Sequence, residues 1–149
     1  MLRRGNPRRS KVPNITTSEA RYVFDARIGR YRDVENGQFV AARDLPWPAN
    51  AGFESSARQT IEVGKIVDRY GNPSGRFLGE PGSTISQRGM ALGSEGMPYT
   101  QYQVIKPFEA QVGPAAAVPK FGASGGATQY LPSRTIQQLI DDGYLKVVK

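Results

Sequence analysis

Tyr102–Val112, YQVIKPFEAQV, decides how the chain is read, because two short runs rich in β-formers, Tyr102–Ile105 and Phe108–Val112, meet at Pro107. Proline has no N–H to give to a strand ladder, so the join is an edge or a break between two strands. On the N-terminal side, Ile61, Val63, Ile66 and Val67 predict one strand over 61–67, ending in the turn Gly71-Asn72-Pro73. Between them, STISQRG (Ser83–Gly89) predicts a short helix, with Thr84 and Gln87 at capping-box spacing and Gly89 as its stop. On the C-terminal side, Ser133 predicts the cap of a helix running to about Asp142. Ile136, Leu139 and Ile140 share one of its faces and Gly143 ends it. A short strand over Lys146–Val148 closes the chain. Strands outnumber helices, and the strand–helix alternation of a parallel sheet is absent. The expected fold is therefore α+β: a small, mainly antiparallel β-sheet core with a few short helices and long loops.

Composition sets the limits. A chain of 149 residues supports one hydrophobic core. Its 17 Gly and 11 Pro, roughly a fifth of the residues against a usual share of about 12%, require many turns. With no Cys and no His, the sequence excludes disulfides, thiolate zinc sites, cysteine nucleophiles and imidazole bases, and it shows no metal-ligand cluster. Any catalysis must use Arg, Lys, Asp, Glu, Tyr, Ser, Thr, Gln and backbone groups. The net charge of +7 is uneven: residues 1–43 hold ten Lys/Arg against four Asp/Glu, whereas 44–149 are nearly balanced. The chain is accordingly divided into a basic, partly flexible leader or connector (1–43) and a domain (44–149) that opens at LPWPANAGF (Leu45–Phe53). Residues 1–20, with Arg3, Arg4, Arg8, Arg9 and Lys11 and little apolar content, suit a flexible tail or cut linker. A basic arm on nucleic acid or anionic lipid is the alternative. Tyr22, Phe24, Ile28, Tyr31, Phe39 and Val40 supply enough apolar surface to dock, with Asn36-Gly37 as a turn. No apolar run reaches 18 residues, so neither a membrane span nor a signal peptide is expected.

Gly122-Ala123-Ser124-Gly125-Gly126 matches the G-x-S-x-G nucleophile elbow by letter, but such a hydrolase needs a histidine, and the chain has none. The same glycines allow close backbone approach to a ligand, or simply make a flexible loop. Arg69, Arg76 and Arg88 sit at the edges of predicted elements in a nearly neutral domain. Their planar forks suit a pyrophosphate clamp, or equally an ordinary solvated or salt-bridged surface. Phe77 suits a base or pyridinium ring, or the core.

The order of these pieces adds a resemblance. DRYGNPSGRFLGEPGSTISQRGM (Asp68–Met90), PYTQYQVIKPF (Pro98–Phe108) and FGASGGATQYLPSRTIQQLIDDGYL (Phe121–Leu145) resemble the tuberculosis necrotizing toxin family of NAD glycohydrolases, over roughly 44–149. That resemblance implies hydrolysis of NAD, and of NADP in many members, as substrate, with no cofactor and no metal. It implies that Arg69 and Arg88 hold the phosphates, that Phe77 faces the nicotinamide end, and that Gln129 acts at the nicotinamide ribose. Arg88 and Phe77 are also counted with Gln129 as catalytic, and Gly125, Gly126 and Thr128 as substrate-binding. Some members carry a histidine near the strand beginning at Tyr99–Tyr102, where this chain has none. The resemblance further implies a secreted bacterial effector working in a target cell's cytoplasm, with a cognate immunity protein as partner and neither nucleic acid nor membrane insertion involved. Two other readings compete: an ADP-ribosyltransferase, for which Glu95 is the nearby candidate, and a basic nucleic-acid-binding module on residues 1–43. Lys65, Lys120 and Arg134 are the cations available to a ribose 2′-phosphate.

Overall fold

The computed structural model describes residues 20–149, so the expected tail or basic arm falls outside the described residues apart from Ala20. The first described stretch forms a small antiparallel sheet of β1 (Tyr22–Asp25), β2 (Arg30–Asp33) and β3 (Phe39–Val40), with Asn36-Gly37 in the turn before β3. The main sheet has seven strands: β4 (Ala57–Ile61), β5 (Ile66–Tyr70), β6 (Leu78–Gly79), β7 (Tyr99–Val104), β8 (Phe108–Pro114), β9 (Thr128–Pro132) and β10 (Leu145–Val147). Their spatial order is β10-β7-β5-β6-β9-β8-β4, and every pairing is antiparallel. One α-helix, α1 (Ile136–Asp141), completes the described residues, together with short 3-10 turns. The α+β fold on an antiparallel sheet is what the sequence led us to expect.

Three local expectations change. The single strand over 61–67 is two strands split by a turn at Glu62–Lys65, with Val63 59% exposed at its tip. Ile61 and Val67 reach the same core from β4 and β5, which lie far apart in the sheet; an apolar run cannot show where the chain leaves one strand for another. The helix over Ser83–Gly89 is a single turn. Its capping box does form, with the Gln87 N–H donating to Thr84 Oγ1 at 3.1 Å and the Thr84 N–H to Gln87 Oε1 at 2.9 Å, but no further helical turn follows. At α1 the cap is Thr135 rather than Ser133, with the reciprocal box closed by Gln138. The last strand starts at Leu145 and pairs with β7.

Strand alternation gives the sheet two different faces. Val67, Leu78, Tyr102, Val104, Val112 and Tyr130 turn to one side, where Ile136 and Leu139 of α1 close the core. The cross-strand row on the other side reads Gln101–Asp68–Gly79–Gln129–Gly113. Loops cover this second side, and a second apolar cluster of Leu45, Ala91, Val118, Phe121 and Ala123 forms there against Tyr22, Phe24, Tyr31 and Val40 of the small sheet.

Under the sheet, Tyr130 donates its hydroxyl to Glu80, and Lys65 Nζ approaches the same carboxylate at 2.6 Å. Burial would raise the Glu80 carboxyl, but these two partners outweigh it and hold the group below its usual range. Burial, then the hydrogen bond to Glu80 and its charge, pushes the Tyr130 phenol up to about 12. The folded protein therefore keeps a phenolic proton that an unfolded tyrosine loses near pH 10, and stability falls as pH rises from about 10 to 12. Lys65, raised mainly by its bond to Glu80, acts in the same direction. Tyr130→Phe should flatten, without abolishing, the fall in unfolding free energy between pH 10 and 11.5; equal slopes for variant and wild type would count against the assignment. At Gly113 a Cβ would run into the carbonyl oxygen of Ser55. Gly113→Ala should cost about 1–3 kcal/mol in urea unfolding, because the obstacle is backbone and cannot rotate away.

Candidate active site

Asp68 is fully buried at the middle of β5, where an unpaired carboxylate would be very costly. Arg88 supplies the partner from the capped turn after β6. Its Nη1 donates to Oδ1 at 2.5 Å and its Nη2 to Oδ2 at 2.7 Å, a bidentate pair in which Arg88 is only 8% exposed. Arg88 Nε also donates to the Ser83 carbonyl at 3.0 Å and Nη2 to that of Glu80 at 3.1 Å, so the fork ties its own loop to the sheet. Gly79 makes room for it: a Cβ there would lie 2.7 Å from Arg88 Nη1 and 3.1 Å from Asp68 Oδ1. Beneath the guanidinium lies the Tyr70 ring, 4.9 Å from centroid to Cζ, and Tyr70 packs on Tyr99 with centroids 4.8 Å apart. The Tyr99 hydroxyl donates to Asp68 Oδ2 at 2.7 Å and accepts from Gln101 Nε2 at 3.1 Å. Burial, and behind it the bond to Asp68, raises the Tyr99 phenol above its ordinary value, against an opposing pull from Gln101.

Gln129 stands beside Gly79 in register. Its Nε2 is buried with no hydrogen-bond partner among the described residues, and Gly52 backs onto it, a Cβ there lying 3.7 Å away. Phe77 immediately precedes β6 and by alternation turns to the same side as Gly79. It is 38% exposed and packs on Phe53 with centroids 6.4 Å apart. Gln129, Arg88 and Phe77 are thus brought together on the loop-covered face, around a floor opened by Gly79.

Other expected site residues are placed elsewhere. Arg69 follows Asp68 on β5 and so leaves the opposite face of the sheet. Its Nε donates to the Asn72 carbonyl at 2.7 Å and its Nη1 to that of Phe77 at 2.9 Å, so it pins the 71–77 loop, and burial lowers its pKa. Arg69 and Arg88 therefore do not converge as a clamp: consecutive positions on one strand send Asp68, with its partner, and Arg69 apart. Arg76 Nε donates to the Pro132 carbonyl at 2.9 Å. Thr128, next to Gln129, is likewise on the other face. Gly125 is buried, donates to the Ser86 carbonyl at 3.0 Å, and would bring a Cβ within 2.6 Å of the Ala115 carbonyl oxygen, so it packs loop on loop. Gly126 is exposed, with open space around it. Glu95 accepts the Gly93 N–H within its own turn. A cavity of about 350 Å3 lies elsewhere, with Arg58, Arg76, Phe108, Pro132, Arg134 and Tyr144 in its lining and none of Gln129, Arg88 or Phe77.

The sequence reading missed Asp68, Gly79 and Tyr99. Asp68 carried a signal, a carboxylate at an inward position of an apolar strand, but its cation is twenty residues away and only the folded chain joins them.

Comparison with known proteins bears on the family and the fold. The family described as Tuberculosis necrotizing toxin matches residues 60–148, which include every residue of the Asp68–Gly79–Gln129 row and Arg88. A conidial surface nicotinamide adenine dinucleotide glycohydrolase, nadA, of Aspergillus fumigatus is 37% identical over 94 residues. These make up 58% of this chain and 39% of that protein, so the chain spans about two fifths of that relative's length. Among solved structures, tuberculosis necrotizing toxin complexed with its immunity factor IFT shares the fold at a TM-score of 0.56 and 24% identity, over 74% of this chain and 63% of that one. Rhs1-CT in complex with its cognate immunity protein RhsI1 does so at 0.51 and 17%, over 68% and 83%. With three-fifths of its length matched, the site face included, the chain belongs to the tuberculosis necrotizing toxin family.

Proposed function

We propose that the chain is an NAD glycohydrolase toxin that hydrolyses the nicotinamide–ribose bond, giving nicotinamide, ADP-ribose and a proton. The observation that carries this reading is Gln129: a buried amide donor without an acceptor costs about 1–3 kcal/mol, and a ribose hydroxyl in the groove supplies one. The chemistry suits a site without His, Cys or an expected metal. In NAD the leaving group is a pyridinium, so nicotinamide departs neutral and needs no proton from the enzyme. What remains is to stabilise the oxocarbenium-like ribose cation and to place a water. The carbonyl end of the Gln129 amide and the π-face of Phe77 present negative potential to that cation, and Gln129 orients the water. Contact with Gln129 requires the Asn50–Phe53 turn to give way. Ala51 holds a left-handed φ of 55°, a strained state for alanine, beside Asn50 at 62°, a residue that tolerates it. Arg69 contributes indirectly, by holding the loop that carries Phe77.

NAD is the substrate of this reading. Of the cations that could select NADP, Lys65 is engaged with Glu80 on the core side and Arg134 lies 3.8 Å from Asp142, which leaves Lys120 at the 119–121 turn. The relatives whose structures contain immunity proteins support a cognate immunity protein as partner. In this reading the chain is a secreted effector acting in the target cell's cytoplasm, with residues 44–149 as the toxin domain and 1–43 as its connector. Among the described residues no helix is long and apolar enough to cross a membrane.

The direct test is incubation of the purified protein with NAD. Nicotinamide and free ADP-ribose should appear in equal amounts, Gln129→Ala should lower kcat/KM at least about a hundredfold, and Phe77→Ala about tenfold, with melting temperatures preserved. Nicotinamide without free ADP-ribose would mean transfer to an acceptor. No turnover by folded wild type would end the hydrolase reading.

A further inference from the structure

The arrangement around Arg88 leaves little of its guanidinium for a ligand. Of its five N–H groups, Nε serves the Ser83 carbonyl, both Nη2 protons serve Asp68 and Glu80, and one Nη1 proton serves Asp68. One Nη1 proton remains, on the nitrogen that lies over Gly79, whose register partner is Gln129. The charge is spent as well, since the fully buried Asp68 carboxylate neutralises it at bidentate distance. A phosphate clamp works through net positive charge and several free donors, and Arg88 here has neither to spare. What it has is orientation. Asp68 fixes the plane of the fork, Tyr70 lies under it, and the Tyr99 hydroxyl occupies Asp68 Oδ2 so that the carboxylate cannot swing away.

We propose that Asp68 and Tyr99 are positioning residues that hold Arg88 as an oriented, charge-neutralised hydrogen-bond donor beside Gln129, acting on the ribose end of the substrate through one N–H. The proposal rests on the hydrolase reading for its substrate, but not for the geometry of Arg88. Tyr99, 44% exposed, is the better probe, because Tyr99→Phe keeps the ring packed against Tyr70 and removes only the hydroxyl. Asp68→Asn would strand a buried guanidinium and endanger the fold.

The experiment measures kcat and KM for NAD cleavage in wild type, Tyr99→Phe, Arg88→Lys and the double variant, and follows the Arg88 Nε–H by NMR in wild type and Tyr99→Phe. Tyr99→Phe should lower kcat about tenfold with KM within about twofold and an unchanged melting temperature, as expected for one lost charge-assisted contact that acts through another residue. In the Arg88→Lys background, where no fork remains to be oriented, the same change should cost less than about twofold. The Arg88 Nε–H signal, slow to exchange in wild type, should exchange faster in Tyr99→Phe. Equal losses in both backgrounds would overturn the proposal, as would a rise in KM alone. If wild type does not cleave NAD, the hydrolase reading fails and the NMR arm still decides: an unchanged Arg88 signal in Tyr99→Phe overturns the positioning role, and faster exchange upholds it.

Discussion

A carboxylate with no solvent contact, set in the third strand of a seven-stranded sheet, exists only because a cation reaches it from outside the sheet. Asp68 and Arg88 form that contact, and much of the site face follows from it. The pair draws the loop after β6 down onto the sheet, because the same guanidinium also takes the carbonyls of Ser83 and Glu80. It also dictates glycine at 79, where any side chain would occupy the space of the fork. The glycine in turn leaves Gln129 without a side-chain neighbour on that flank. A buried ion pair adds little net stability over an apolar pair of similar shape, and breaking one partner is what costs. Its value here is geometric: it fixes where one donor stands.

Strand alternation then divides labour between two consecutive residues. Asp68 faces the loops and anchors Arg88, whereas Arg69 faces the other way and holds the carbonyls of Asn72 and Phe77. The two sides meet again at Phe77, whose backbone is held by Arg69 from the core side while its ring lies against Phe53 on the groove side. Two arginines that look equivalent as letters thus lie on opposite faces, one holding the loop after β5 and one the loop after β6.

What was legible in the sequence was local. The capping box at Thr84 is a spacing of three residues, and the break at Pro107 follows from a missing N–H; such signals survive folding because they involve few residues, whereas the cap of the last helix falls at Thr135, two residues past the expected Ser133. The capped turn at Thr84 nevertheless stops short of a helix, since Arg88 is drawn to Asp68 and the chain turns away at Gly89. The split of 61–67 was not legible, because both halves are apolar and face one core. Arg88 and Phe77 stood out by residue type, and Gln129 came with the resemblance; Gln129 meets Gly79 by register, and Arg88 reaches the same face through Asp68. The divergence of Arg69 and Thr128 from that face follows from the same register, which no composition or spacing reveals.

The cover over Gln129 comes from a different part of the chain than its floor. Asp68, Gly79, Arg88 and Gln129 lie within the family-matched residues 60–148, whereas Gly52 and Phe53 precede them. Phe53 is anchored by its bridge to Ala115, and the loop that follows Ala115 supplies Val118, Phe121 and Ala123 to the cluster shared with the first small sheet. That sheet is joined to the same loop by the Arg21 N–H on the Lys120 carbonyl and, through its bridge from Val23 to Leu92, by the Leu92 N–H on the Phe121 carbonyl. A change in how the small sheet packs is therefore passed by direct contact to the loop leading into β9. Gln129 stands on a strand of the sheet, and the turn that backs onto it, Asn50–Phe53, lies outside the sheet. An amide fixed on a strand under a cover held on a turn is a division that lets the second vary without moving the first.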